Sequence, residues 1–217
     1  MQYKRGNIGA YFKGDQTLKL WLPFEEGSGT TTRDLSGNGN NGTLTNGAKF
    51  VSGKFNNGIY FDGNDDYVDC GNGTSLQLTT GTVMAWIKTP NAGSNYRGIV
   101  VKQMAYGMFL YGNIFGIYDW GGVTWRTTNI NLADNKWHYV AFSFQSGVSN
   151  GTKLYIDGNW KIDTTMTISD QTVQLFIGKG TPNTGQEFSG LIDEVAIFSR
   201  ALSPKEISDY YLWSIGT

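Results

Sequence analysis

Asp34 opens a run, DLSGNGNNGTL, that is otherwise almost wholly small and polar, dominated by Gly and Asn. Such residues are poor in helix interiors and strands, and they suit tight turns where bare backbone comes close to a neighbour. One chemistry fits this composition. Ca²⁺ takes about 6 to 8 oxygens, and a Gly/Asn loop can turn its carbonyls inward because Gly lacks the steric barrier and Asn tolerates the left-handed region. Asp34 would supply an anion, and Asn38, Gly39 and Asn41 backbone or side-chain oxygens. The alternative is an Asx-turn, in which Asp34 bonds its own backbone and needs no ion. A second acidic group, Asp62, Asp65, Asp66 and Asp69 in DGNDDYVD, lacks the Gly and Glu positions of an EF-hand loop and reads as a solvated hairpin.

Catalytic chemistry has less to work with. Glycoside hydrolysis needs two carboxylates about 5 to 9 Å apart across a sugar. Glu25-Glu26 and Asp193-Glu194 are adjacent pairs whose members face opposite ways on a strand, and no Glu-x-Asp-x-x-Glu run occurs. No nucleophile elbow or P-loop is present. The only histidine, His138, sits in the core-strand pattern WHYVAF and reads as a packed, hydrogen-bonded side chain; Cys70 reads as an inert buried thiol. Catalysis is not expected. Residues suited to holding a sugar are richer: YDWGGVTWRTTN offers Tyr118, Trp120, Trp125 and Arg126 as ligand-binding candidates, with Asn95, Tyr96 and Arg97 as a second rim group and Trp160 as a third. The competing reading for each Trp is a plug in the core.

The elements that must position these residues are short apolar-aromatic runs punctuated by Gly, Asn and Asp. The 217 residues carry a net charge of −1, one cysteine, 30 glycines and 14% aromatics. That balance gives no basic field for nucleic acid, no internal disulfide, and an all-β composition. No apolar run is long enough to insert in a membrane, and MQYKRGNIGAYFKGD has no signal-peptide core, so a reducing compartment or a fragment without its leader is expected. In WHYVAFSF, Tyr139 and Ala141 oppose Val140 and Phe142; in TVMAWIKT, Val83, Ala85 and Ile87 oppose Met84 and Trp86. Both faces are apolar, which marks central strands covered on each side. Asp157-Gly158 predicts a hairpin. ALSPKEISDYYLW predicts one C-terminal helix with Ser203 as N-cap, Pro204 at N1 and Glu206 completing a capping box. Residues 1–14 read as an aromatic, mildly basic N-terminal arm, and 15–217 as one domain.

Taken in order, LWLPFEEGSGTTTRDLSGNGNNGTL, GIYFDGNDDYVDCG, WHYVAFSF, LYIDG and SGLIDEVAIFSRALSPKEISDYY resemble the laminin-G-like (concanavalin A-like) jelly-roll domains, over about residues 17 to 213. The last stretch is the most specific. The resemblance implies an all-β, two-sheet antiparallel jelly-roll sandwich and a role in binding glycans or other surface polymers more often than catalysis. It also points to Asp193 or Glu194 in LIDEV as the second anion for calcium, Asp193 being preferred because its neighbour should face the other way; whether Glu194 joins or replaces it stays open. The expected function is thus a non-catalytic, calcium-containing, lectin-type adhesion module acting outside the cell. A structural assembly protein on a virion surface (a decoration or fibre component that forms homo-oligomers or larger assemblies through the N-terminal arm) is the alternative, and a glycoside hydrolase a distant third.

Overall fold

The computed structural model describes residues 8–90, 95–169, 171–181 and 185–216. Helix α1 (Ile8–Tyr11) precedes β1 (Leu18–Leu22), β2 (Thr31–Thr32), β3 (Gly42–Thr45), β4 (Lys49–Ser52), β5 (Asn57–Asp62), β6 (Tyr67–Asp69), β7 (Thr80–Lys88) and β8 (Tyr96–Lys102). The chain continues through β9 (Tyr106–Tyr111), β10 (Ile114–Asp119), β11 (Thr124–Asn131), β12 (His138–Gln145), β13 (Thr152–Ile156), β14 (Asn159–Thr164), β15 (Leu175–Ile177), β16 (Ser189–Phe198) and α2 (Pro204–Ile215). The first sheet runs β14-β13-β12-β7-β16-β5-β4, with β1 also paired to β16; the second runs β11-β10-β9-β8-β15-β6-β3-β2. These are the two antiparallel layers of a jelly-roll sandwich.

Alternation along the strands fills the space between the layers. Val83, Ala85, Ile87, Val140 and Phe142 from the first sheet meet Met108, Leu110, Phe115 and Ile117 from the second in one core. Each of these side chains except the smaller Ala85, fully withdrawn from water, contributes roughly 1.5–3 kcal/mol. The intervening residues of the first sheet, Met84, Trp86, Tyr139, Ala141 and Tyr155, form a second apolar cluster on its outer face. Helix α2 covers that cluster with Ile207 and Tyr210. It starts as the sequence requires: the Ser203 side chain accepts from the Glu206 amide, and Glu206 accepts from the Ser203 amide at 2.8 Å. Gly216 closes it in the left-handed conformation.

The segment read as an N-terminal arm is, from Ile8 onward, part of this covering layer. Ile8 and Phe12 are buried in the outer cluster, and Phe12 packs edge-on against Phe198 at 4.8 Å and beside Tyr210. The apolar-aromatic pattern read as an arm for a partner is therefore satisfied within the chain over these residues. Residues 1–7 lie outside the described part. Among the described residues no helix is long and apolar enough to cross a membrane.

β16 organises the rest. Its first half pairs with β5 and its second half with β1, while β7 runs along its other edge. Where it changes neighbour, the register against β7 slips between Asp193 and Ala196, and Glu194 takes φ 48°. This is a β-bulge, and it re-aims the two carboxylates of the LIDEV stretch.

Candidate functional site

Among the described residues no helix covers the outer face of the second sheet, and aromatic rings crowd it. Met108, Leu110, Phe115 and Ile117 point into the core, so Phe109, Tyr111 and Tyr118 point out. The register sets Tyr96 opposite Tyr111, and Tyr118 opposite Trp125, on this same face. The Trp125 ring lies parallel to Tyr96 at 4.4 Å and to Tyr111 at 5.5 Å, with Phe109 edge-on at 5.2 Å. Across a gap stands Trp120, in edge contact with Tyr118 at 5.6 Å. The turn that carries Trp120 is pinned by Asp119, whose Oδ1 accepts from the amides of Gly122 and Thr167 at 3.0 and 2.9 Å.

The gap is an open slot of about 560 Å³, walled by Tyr96, Trp125, Trp120 and Tyr118 and edged by the amides of Gln103 and Gln186. Neither glutamine side chain hydrogen-bonds to another described residue. Two glycines make room. The Lys179 carbonyl lies 2.4 Å from where a Gly98 Cβ would stand, so glycine lets that segment lie flat on β8. At Gly180, a Cβ would meet Gln186 Oε1 at 2.3 Å. No Asp, Glu or His lines the slot among the described residues.

Tyr118, Trp120 and Trp125 are thus brought together as the sequence suggests, and Arg126 is not. Strand alternation turns Arg126 away from Trp125; its Nη2 lies 3.7 Å from Asp119 Oδ2, outside the slot lining. Trp160 is exposed on β14, at the edge of the other sheet, with its Nε1 donating to Asp163 at 3.0 Å. Sequence reasoning missed Phe109, Tyr111, Gln103 and Gln186. The signal for the two aromatics lies in GMFLYGNIFGIYDW, where Phe109 and Tyr111 alternate with core residues. Nothing local marks the glutamines, which arrive from distant loops.

The Gly/Asn loop is held by protein donors. Asp34 Oδ1 accepts from the amides of Trp21 and Ser36 at 3.0 and 2.9 Å, and Oδ2 from Asn40 at 2.9 Å. Asn41 Oδ1 accepts from the Asp34 amide at 2.9 Å, Asn38 donates to the Leu18 carbonyl at 3.0 Å, and Gly39 turns the loop at φ 78°. Asp34 and Asp193 do not meet. Trp21 bonds Asp34 and Leu35 along one edge of β1 while β16 pairs with the other edge, so a strand lies between them.

Asp193 and Glu194 instead form a buried acidic pair at the bulge, both nearly without solvent exposure. Their burial together corrects the expectation that strand alternation would part them. Asp193 Oδ2 accepts from the Phe55 amide at 2.9 Å and its Oδ1 from the Glu194 amide at 2.7 Å. Glu194 Oε2 accepts from the Ile8 amide at 3.1 Å and from Trp21 Nε1 at 3.0 Å. Burial pushes the Asp193 carboxyl up, and burial with the Asp193 charge pushes Glu194 well above the usual carboxylate range. Glu25 adds to the repulsion on both. Lys54 reaches over the Trp86 ring at 4.3 Å and forms no ion pair with either among the described residues. Phe24, Asn56 and Glu194, all next to these acids, take positive φ. Among the described residues, three carboxylates converge closely only at Asp62, Asp65 and Asp66, where Asp66 accepts from the Gly47 and Asp62 amides.

Residues 62–208 match the family model of the concanavalin A-like lectin/glucanases superfamily. Among solved structures, domain 4 of AbnA, an extracellular GH43 arabinanase of Geobacillus stearothermophilus, in complex with arabinotriose, superposes with a TM-score of 0.69 at 21% identity, covering 90% of this chain and 98% of that one. The binding domain of Paraclostridial Mosquitocidal Protein 1 gives 0.70 at 17% identity, covering 90% and 52%. The botulinum neurotoxin serotype D ligand binding domain in complex with N-acetylneuraminic acid gives 0.66 at 18%, covering 93% and 52%. The chain therefore spans about half of either toxin domain and nearly all of the arabinanase domain, and at these identities the likeness is one of fold. No curated protein sequence matches it.

Proposed function

The chain belongs to the concanavalin A-like lectin/glucanases superfamily, and we propose that it is a non-catalytic module that binds glycans in the aromatic slot on its second sheet. The observation that carries this reading is the slot itself: the parallel rings of Trp125 and Tyr96 line one open gap together with Trp120, and two amides that bond no other described side chain or backbone group stand at its edge. Sugars present apolar C–H faces and a rim of hydroxyls, and a site of mostly apolar walls with a few placed polar groups matches both. The arabinotriose complex of the similar arabinanase domain, almost all of whose length this chain matches, supports the same use of the fold. Hydrolysis would require a carboxylate pair beside the sugar, and the slot walls carry none among the described residues. The module is placed outside the cell, acting on surface or polymeric saccharides. A glycan array read with the intact chain tests the reading; release of reducing sugar from a polysaccharide panel would overturn its non-catalytic half.

Calcium belongs to this proposal at the acidic pair, not at the Gly/Asn loop. Buried carboxylates are normally paired or bound to a metal; Asp193 makes no salt bridge among the described residues, and it lies near Glu25, which accepts from Asn56 Nδ2 at 3.0 Å. Asp193 would hold the ion with Glu25, while Glu194 keeps its bonds to Ile8 and Trp21. The ion's part is structural: it offsets the buried charge and fixes the turn before β5 against β16.

A further inference from the structure

We propose that the slot selects uncharged saccharides and excludes sialic acids, uronic acids and other anionic glycans; this rests on the glycan-binding reading and narrows it. Recognition of a sugar carboxylate in a semi-enclosed site calls for a cation or a cluster of directed donors. Among the described residues the slot lining has no cation, and its neutral donors come from separate segments. Its polar edge consists of Gln103, Gln186, Thr124 and Thr181, all neutral.

Among the described residues, the cations close to it in the fold point away from it. Arg126 turns to Asp119 on the opposite side of β11. Lys179 is buried, with Nζ 4.4 Å from the Tyr67 ring centre and 4.0 Å from Glu187 Oε1. Arg97 pairs in the sheet with Leu110, a core residue, and donates to the Glu187 carbonyl at 3.0 Å. The segments next to the slot residues in sequence add no charge either: residues 91–94 are Asn, Ala, Gly and Ser, and 182–184 are Pro, Asn and Thr. The net charge of −1 supplies no long-range attraction for a polyanion. An anionic ring brought against Trp125 would lose hydration with no compensating partner, whereas a neutral ring loses only hydroxyl hydration that the two amides replace.

The test is affinity electrophoresis and titration calorimetry of the full chain against neutral polymers (arabinan, xylan, β-glucan, mannan) and anionic ones (polygalacturonate, alginate, polysialic acid), at about 50 and about 500 mM salt, either side of strong screening. The expected result is binding to at least one neutral polymer, changed less than about twofold by salt because no ion pair is made. That binding should be lost in Trp125→Ala and weakened in Gln186→Ala. Binding confined to anionic glycans, or falling steeply with salt, and still lost in Trp125→Ala, overturns the selectivity and leaves the slot as a glycan site. Absence of binding to every polymer overturns both.

Discussion

Glu194 tests the fold's least regular feature. Its carboxylate accepts two buried N–H groups, from Ile8 and from the Trp21 indole, and thereby ties the N-terminal segment to β1 and β16. Glu194→Ala leaves both donors without an acceptor, at about 1–3 kcal/mol each. It also loosens the seating of Ile8 and Phe12. A loss of roughly 2–6 kcal/mol corresponds to a fall in Tm of about 5–20 °C for a chain of this size. Glu194→Gln behaves differently. Burial and the neighbouring Asp193 hold Glu194 well above the usual carboxylate range, which favours its neutral form, and a neutral amide can present one oxygen to the same two donors. Its cost should stay within about 1 kcal/mol. Thermal unfolding followed by circular dichroism in chelator, with limited proteolysis of the N-terminal segment, reads both variants. An unchanged Tm in Glu194→Ala, or a Gln variant as unstable as the Ala one, would show that these two hydrogen bonds do not hold the N-terminal segment in place.

Three further outcomes follow from the same geometry. Calcium at about 100 times its Kd should stabilise the chain by about 2.7 kcal/mol, or about 5–11 °C; Asp193→Asn should abolish the gain and Asp34→Ala should not. A melting curve indifferent to calcium removes the ion from the account. His138 bonds Asp157 at 2.9 Å and Asp134 at 3.1 Å, and the Asp157 bond, ahead of the other contributions, raises its pKa above 6.5. The stabilisation from this charged histidine is therefore complete below pH 6.5 and lost as pH rises through the folded value; the Tm difference between wild type and His138→Asn should shrink on going from acid to alkaline pH, and a difference that grows would show the sign to be wrong.

The two-sheet architecture was legible because local rules and tertiary structure agree. Alternation in WHYVAFSF and TVMAWIKT assigned residues to the two apolar clusters as observed, and the capping box at Ser203 formed as spaced. Candidate sites were legible only where they lie on one stretch. Tyr118, Trp120 and Trp125 share a hairpin, so their convergence follows from its register. Tyr96 reaches the slot by pairing across the sheet, and the two glutamines reach it from loops, none of which a local pattern encodes. The Asp34–Asp193 pairing failed on topology, because β1 intervenes. The separation of Asp193 from Glu194 failed on one residue: the bulge with φ 48° at Glu194 breaks the alternation on which that reading stood.

A saccharide should bind against the Trp125–Tyr96 wall. Titration calorimetry of wild type and Trp125→Ala against the best glycan found on the array tests it most directly. Truncating a central aromatic anchor should cost about 2–4 kcal/mol, so affinity should fall by at least roughly 30-fold while the circular dichroism spectrum stays that of the sandwich. Equal affinity in the two proteins, with the fold intact, would contradict it.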